Sequence, residues 1–184
     1  MKLSIKDLVT IALFTAITVI FAQISLPVPF SPVPITLSLF AVFLSAMLLG
    51  AKRAAFVNIV YVLLGICGAP VFQGFTGGIG KVLGPTGGYI ISYIPMAFVM
   101  GKLVNDIKRI TRIKMVYIML LGLVICYGFG AAWLMISTGI SPAAVLQSAV
   151  LPFIIPDLVK IGLVSVIAYE LRTRLAETNI LPKG

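Results

Sequence analysis

Val150–Leu171 reads VLPFIIPDLVKIGLVSVIAYEL, an apolar stretch with Asp157 and Lys160 set inside it. A run this long and this apolar is a candidate membrane-spanning helix. An ionisable side chain at membrane depth costs about 2.5–3.5 kcal/mol on insertion scales, and here there are two. Their i, i+3 spacing puts both on one helix face, where they can serve one ligand or each other. A simple ion pair that neutralises two buried charges is the plainer reading. Such a pair contributes little net stability compared with apolar replacements, which favours a site. In a site, the carboxylate accepts ligand N–H groups and the ammonium meets a carbonyl or carboxylate, a combination suited to a small zwitterion-like or urea-bearing molecule.

Outward from this stretch the chain has the same character. It is 60% hydrophobic and 10% charged over 184 residues, with a mean hydropathy of +1.17. A soluble domain carries about 25% charged residues, so an integral membrane protein is expected: all-α, one membrane domain over residues 1–184. Lys2 and Lys6 precede Leu8–Leu26 as in a signal peptide, but that run is long for one, and Ile20-Phe21-Ala22 is no cleavage site. It reads as an uncleaved first span. There is no histidine, and Cys67 and Cys126 fall inside apolar segments, where they read as small packing residues. Neither a metal site nor a resident cofactor is expected. The net charge of +9 lies on residues that flank apolar runs, which reads as membrane topology and not as a nucleic-acid surface.

Six spans are predicted: Leu8–Leu26, Ile35–Gly50, Ala54–Gly68, Gly87–Val104, Met115–Thr138 and Pro156–Leu171. Pro95 is expected to kink the fourth, and Pro152 and Pro156 to break the last. Ser141–Gln147 reads as a separate short helix with Ser141 as N-cap and Pro142 at its first position. With six spans, twelve of the 14 Lys and Arg residues fall on one side, leaving Lys81 in a loop opposite and Lys160 inside the final span. The positive-inside rule then places both termini in the cytoplasm and the pair near the outer end of its helix.

Two unusual loops lie on that outer side. Leu26–Pro34, LPVPFSPVP, has four prolines and favours extended polyproline structure. Val71–Gly88, VFQGFTGGIGKVLGPTGG, has seven glycines. Irregular backbone at membrane depth persists only where protein buries it or a cavity hydrates it, so both are placed to cap an outward-facing pocket. The glycines form no phosphate loop: Val82 follows Lys81 where Ser or Thr is required, and Phe75 stands in place of the first glycine. Ala12 and Ala16 make a small-xxx-small patch for close helix approach, inside the protein or on a partner. Trp133, Tyr117, Tyr127 and Tyr169 read as interfacial anchors. Asn58 reads as an interhelical hydrogen-bond donor, and Lys81 as a solvated loop charge.

PVPITL (Pro32–Leu37), GAPVFQG (Gly68–Gly74), GPTGGY (Gly84–Tyr89) and PDLVK (Pro156–Lys160), in this order, resemble the BioY family, the biotin-specific substrate-binding subunits of energy-coupling-factor transporters. The resemblance implies a six-helix subunit that captures biotin from outside and associates with a transmembrane coupling subunit and two cytoplasmic ATPases. It implies that Ala12 and Ala16 face the coupling subunit. It also implies a biotin site at Asp157 and Lys160, with Gln73, Thr86 and Tyr89 adding polar contacts or a ring face. Asp157 would accept from a ureido N–H, and Lys160 would meet the ureido oxygen or the carboxylate tail. The chain departs from the family pattern at Ser38, Ser92 and Pro156. Other readings are a subunit for another small vitamin, a membrane enzyme and a stand-alone facilitator. An Asp–Lys pair without histidine is thin equipment for catalysis. A channel would repeat polar lining along several spans, whereas polarity here concentrates at the outer ends.

Overall fold

The computed structural model describes residues 4–107 and 110–177. In chain order it consists of α1 (Ile5–Gln23), β1 (Ser25–Leu26), β2 (Ile35–Thr36), α2 (Ser38–Ile66), α3 (Ile79–Leu83), α4 (Gly87–Asp106), α5 (Arg112–Thr138), α6 (Pro142–Ala149) and α7 (Leu151–Glu177). A single 3-10 turn, Gln73–Phe75, precedes α3. Among the described residues, five helices are long and apolar enough to cross a membrane: α1, α2, α4, α5 and α7.

Local chemistry explains several of the boundaries. Ser4 and Asp7 form a reciprocal capping box at the start of α1, with the Asp7 N–H donating to Ser4 Oγ (3.2 Å) and the Ser4 N–H to Asp7 (3.0 Å). Thr111 caps α5, which ends at Gly139 in the left-handed region with φ 71°. Ser141 caps α6 and Pro142 is its first residue, as the sequence predicts.

The helix α2 does not run straight. Gly50 has φ 75° and ψ −178°, a backbone region essentially restricted to glycine. Ser38, at the start of α2, lies 2.8 Å from the Tyr93 hydroxyl, and the Tyr61 ring stacks on the Tyr93 ring at 6.5 Å. In a straight helix Ser38 and Tyr61 would be about 35 Å apart. The two arms of α2 therefore fold back on each other at Gly50. The predicted spans Ile35–Gly50 and Ala54–Gly68 are these arms, with a one-residue bend where a loop was expected.

The bend gathers one end of the molecule. Arg53, just beyond it, pairs with Asp7 of α1. Arg172 of α7 donates to the Met47 carbonyl at 2.7 Å, tying α7 to the residues just before the bend. Gly101 of α4 lies against the bend so closely that a Cβ there would meet Ala51 N at 2.4 Å. Arg112 of α5 pairs with Glu170 and lies 5.0 Å over the Tyr169 ring. Of the basic residues predicted to share one side, Arg53, Arg112 and Arg172 are thus brought to one end; Lys2, Lys108, Arg109 and Lys183 lie outside the described residues.

At the centre are α2 and α4, with 67% and 61% of their apolar windows buried against 22% for α1. Met47, Met96, Met100, Met115 and Met119 are fully buried there. Flexible thioethers suit the close approach of α4 and α5, where a Cβ on Gly122 would lie 2.3 Å from Met100 Sδ.

Several expectations need correction. The fold is not purely α: β1 and β2 pair antiparallel, Ser25 with Thr36 and Leu26 with Ile35, so the proline-rich segment is the loop of a short hairpin. The glycine-rich segment contains the 3-10 turn and α3, and its last two glycines already belong to α4. Pro152 and Pro156 do not break the last run. Pro152 occupies the first turn of α7, where its missing N–H has no helical partner to lose, and Pro156 forfeits a single hydrogen bond within a long helix. Pro95, where a kink is expected, lies inside the continuous helix α4. Cys67 is exposed at the C-cap of α2, so only Cys126 is a buried packing residue. Asn58 donates to Ala54 of its own helix at 2.8 Å, not between helices.

Candidate ligand site

Three successive contacts on one face of α7, Phe153, Asp157 and Lys160, open onto a cavity at the end of the molecule opposite the Gly50 bend. Asp157 and Lys160 are 4% and 5% exposed, and Lys160 Nζ donates to Asp157 Oδ1 at 2.7 Å. From α5, the Tyr127 hydroxyl donates to Asp157 Oδ2, also at 2.7 Å. Both carboxylate oxygens thus hold one donor each. Lys160 retains two further N–H groups and each carboxylate oxygen a further lone pair, so a donor and an acceptor remain side by side.

The cavity has two contiguous chambers of about 50 Å³ each, sharing Val33, Pro34, Thr36, Tyr89 and Tyr93 as walls. The second holds the Asp157–Lys160 pair, Tyr127 and Cys126. The first is closed by Tyr61, Phe72, Gln73 and Thr86. A hydroxyl chain runs along its wall, Thr36 Oγ1 to Ser38 Oγ at 2.6 Å and Ser38 Oγ to Tyr93 at 2.8 Å. Ser38, a departure from the family pattern, is thereby an integral part of the lining.

Close packing explains why the Gly84–Tyr89 motif is built as it is. A Cβ on Gly88 would lie 2.2 Å from Trp133 Cβ, and one on Gly87 would lie 1.6 Å from the Val82 carbonyl oxygen. Tyr89 lies flat against Gly130 of α5, where a Cβ would meet its ring at 2.3 Å, and its hydroxyl donates to the Ala149 carbonyl at 2.9 Å. That hydroxyl's proton is committed, leaving Tyr89 its ring face and an acceptor lone pair. Trp133 Nε1–H donates to the Gly84 carbonyl at 3.0 Å, so this tryptophan holds the motif in place instead of serving as a free interfacial anchor.

The five residues singled out from the sequence surround this one cavity: Gln73 and Thr86 in the first chamber, Asp157 and Lys160 in the second, and Tyr89 between them. Ala12 and Ala16 lie elsewhere, on the exposed side of α1. Sequence reasoning missed Tyr127, treated as an anchor, and the pair Ser38 and Tyr93. It also missed Gln23, whose side chain bonds to Val71, Phe72 and Phe75, in the segment that brings Phe72 and Gln73 to the first chamber. Nothing in the sequence marks Tyr127 or Gln23 for the site, because their partners lie far along the chain.

A family model described as the BioY family matches residues 1–177. The chain is 40% identical over 167 residues to a "Probable biotin transporter BioY" of Pyrococcus horikoshii, covering 91% of this chain and 96% of that one. It is 38% identical to a "Biotin transporter BioY" of Thermotoga maritima, with the same coverage of each. Among solved structures, a crystal structure of "the S-component for biotin from an ECF-type ABC transporter" superposes with a TM-score of 0.87 at 31% identity, covering 92% of each chain.

Proposed function

The chain belongs to the BioY family, and from that premise we propose that it captures biotin and carries it across the membrane as the substrate-binding subunit of an ATP-driven importer. The observation that carries the proposal is the Asp157–Lys160 pair, held by Tyr127 and open to an aromatic-walled cavity. Biotin presents ureido N–H donors beside a carbonyl acceptor, which matches an acceptor beside a donor. A ureido N–H on Asp157 makes a charge-assisted bond of about twice neutral strength. The thiophane ring suits the faces of Tyr89 and Tyr93, and most of the contact area is apolar, as in small-molecule pockets generally. Gln73 and Thr86 are placed for the other end of the ligand. The chain carries no nucleotide-binding motif of its own, so ATP hydrolysis falls to partner subunits.

Titration calorimetry of the purified protein with biotin, riboflavin and thiamine tests this directly. One-to-one biotin binding without ATP is expected; saturable binding of another vitamin with no biotin heat overturns it.

In the membrane, α1, the two arms of α2, α4, α5 and α7 form six spans of a single domain, both termini are cytoplasmic and the cavity faces outward. The basic cluster at the Gly50 bend supports this orientation. In a Cys67→Ser background, cysteines placed at Phe30 and Thr76 are expected to react with an impermeant reagent applied outside, and one at Lys102 is not. External reaction at Lys102 inverts the orientation.

The partner subunits are a transmembrane coupling protein and two ATPases. The exposed Ala12 and Ala16 give the coupling protein a flat approach to α1. Ala16→Trp is expected to impair uptake while biotin binding by the isolated subunit stays near wild type. Loss of binding in the isolated protein would mean that the patch packs internally.

A further inference from the structure

Gln23 is the last residue of α1, and its side chain is spent entirely on the Phe72–Thr76 loop and its own helix. Nε2–H donates to the carbonyls of Val71 and Phe72 at 3.2 Å each, and to Val19 at 3.2 Å. Oε1 accepts the Phe75 N–H at 2.8 Å. Two loop carbonyls on one side and a loop N–H on the other allow one amide orientation only.

The loop closes on itself through paired bonds between Phe72 and Thr76 (2.9 and 3.3 Å). Its tip passes through Gly74 at φ 68° and Phe75 at φ 54°, the one non-glycine residue with positive φ among the described residues. A non-glycine residue there is held in a sparsely populated conformation, and such strain persists where surrounding contacts impose it. Gln23 Oε1 holds the Phe75 N–H in that conformation, beside the paired Phe72–Thr76 bonds. The same loop carries Phe72 and Gln73 to the wall of the first chamber. Phe72 and Gln73 thus set part of the width of a chamber of about 50 Å³, so a shift of the loop changes the room a ligand finds there.

Resting on the biotin reading of the two chambers, we propose that Gln23 is a positioning residue, a latch that holds the Phe72–Thr76 loop closed over the cavity and sets the rate at which ligand enters and leaves. It touches no ligand; it acts through Phe72 and Gln73. Gln23 also lies seven residues after Ala16 and eleven after Ala12, within about 20° of the same helix face. A turn of α1 about its axis therefore moves the latch and that patch together.

The test uses the full chain in a Cys67→Ser background, comparing Gln23 with Gln23→Met, which keeps the length and removes every polar bond to the loop. Losing these bonds is expected to raise both biotin association and dissociation rates about tenfold, with the equilibrium constant changing about threefold or less. A second readout needs no biotin. Cys126, buried at 3% exposure in the second chamber, is expected to react with a small aqueous thiol reagent about tenfold faster in Gln23→Met. A loss confined to the dissociation rate, or unchanged rates and unchanged Cys126 reactivity, overturns the latch. If wild type binds no biotin, the biotin reading fails, while Cys126 reactivity still decides for or against the latch.

Discussion

Asp157→Asn is expected to weaken biotin binding about 10- to 150-fold, because a hydrogen bond to a charged group is worth about 1.5–3 kcal/mol and the amide presents an N–H where the ligand also presents one. The structure adds a second cost. Lys160 is 5% exposed and pairs with Asp157 alone among the described residues, so the variant leaves a buried ammonium without a counter-ion. Removing one member of a buried pair destabilises by about 3–5 kcal/mol. Affinity and thermal stability must therefore both be measured, for Asp157→Asn, Lys160→Met and the double variant. If the pair holds the ligand, the double variant regains stability without regaining affinity. Recovery of near-wild-type affinity would show that the pair serves only the fold. Tyr127→Phe is a graded comparison, since it removes one of the two donors to the carboxylate and leaves the ion pair in place.

Gly50→Ala is expected to lower stability by about 1–3 kcal/mol from backbone strain alone, since φ 75° with ψ −178° is almost closed to residues with a Cβ. The new methyl would also lie 2.6 Å from the Asn105 amide, although that exposed side chain can swing aside. Gly101→Ala is the harsher neighbour. Its Cβ would meet Gly50 C and Ala51 N at 2.4 Å, and backbone atoms at a bend have nowhere to go. Thermal unfolding in detergent measures both. An unchanged midpoint in Gly50→Ala would show that the two arms of α2 do not depend on this conformation.

What could be read in advance depended on the range of the interactions involved. Apolar run length located α1, α4 and α5, and the Ser141–Pro142 signal located α6, because helices and caps are local. The Asp157–Lys160 pair was legible for the same reason: its partners are three residues apart on one turn. The end of the second span at Gly50 was legible from run length, but not that a single residue turns the chain there or that Arg53 reaches back to Asp7. The prolines of α7 were overweighted, since the rule against interior proline prices one lost bond and ignores the packing that outweighs it. The proline-rich segment was expected to be extended polyproline, whereas it turns at Pro29–Phe30 and its ends pair as strands, which no composition foretells. Tyr127, Trp133 and Gln23 were illegible as site residues because their partners lie 30, 49 and about 50 residues away. Only the fold makes them neighbours.

The bond from Arg172 to the Met47 carbonyl joins positions 125 residues apart. A ribosome finishes α2 long before it reaches α7. Through that interval the Met47 carbonyl is without the Arg172 guanidinium. The α2 hairpin can form early, but the tie across its apex waits for α7. One helix thus supplies the ligand pair at one end and that tie at the other, so the cavity and the fastened apex are completed together.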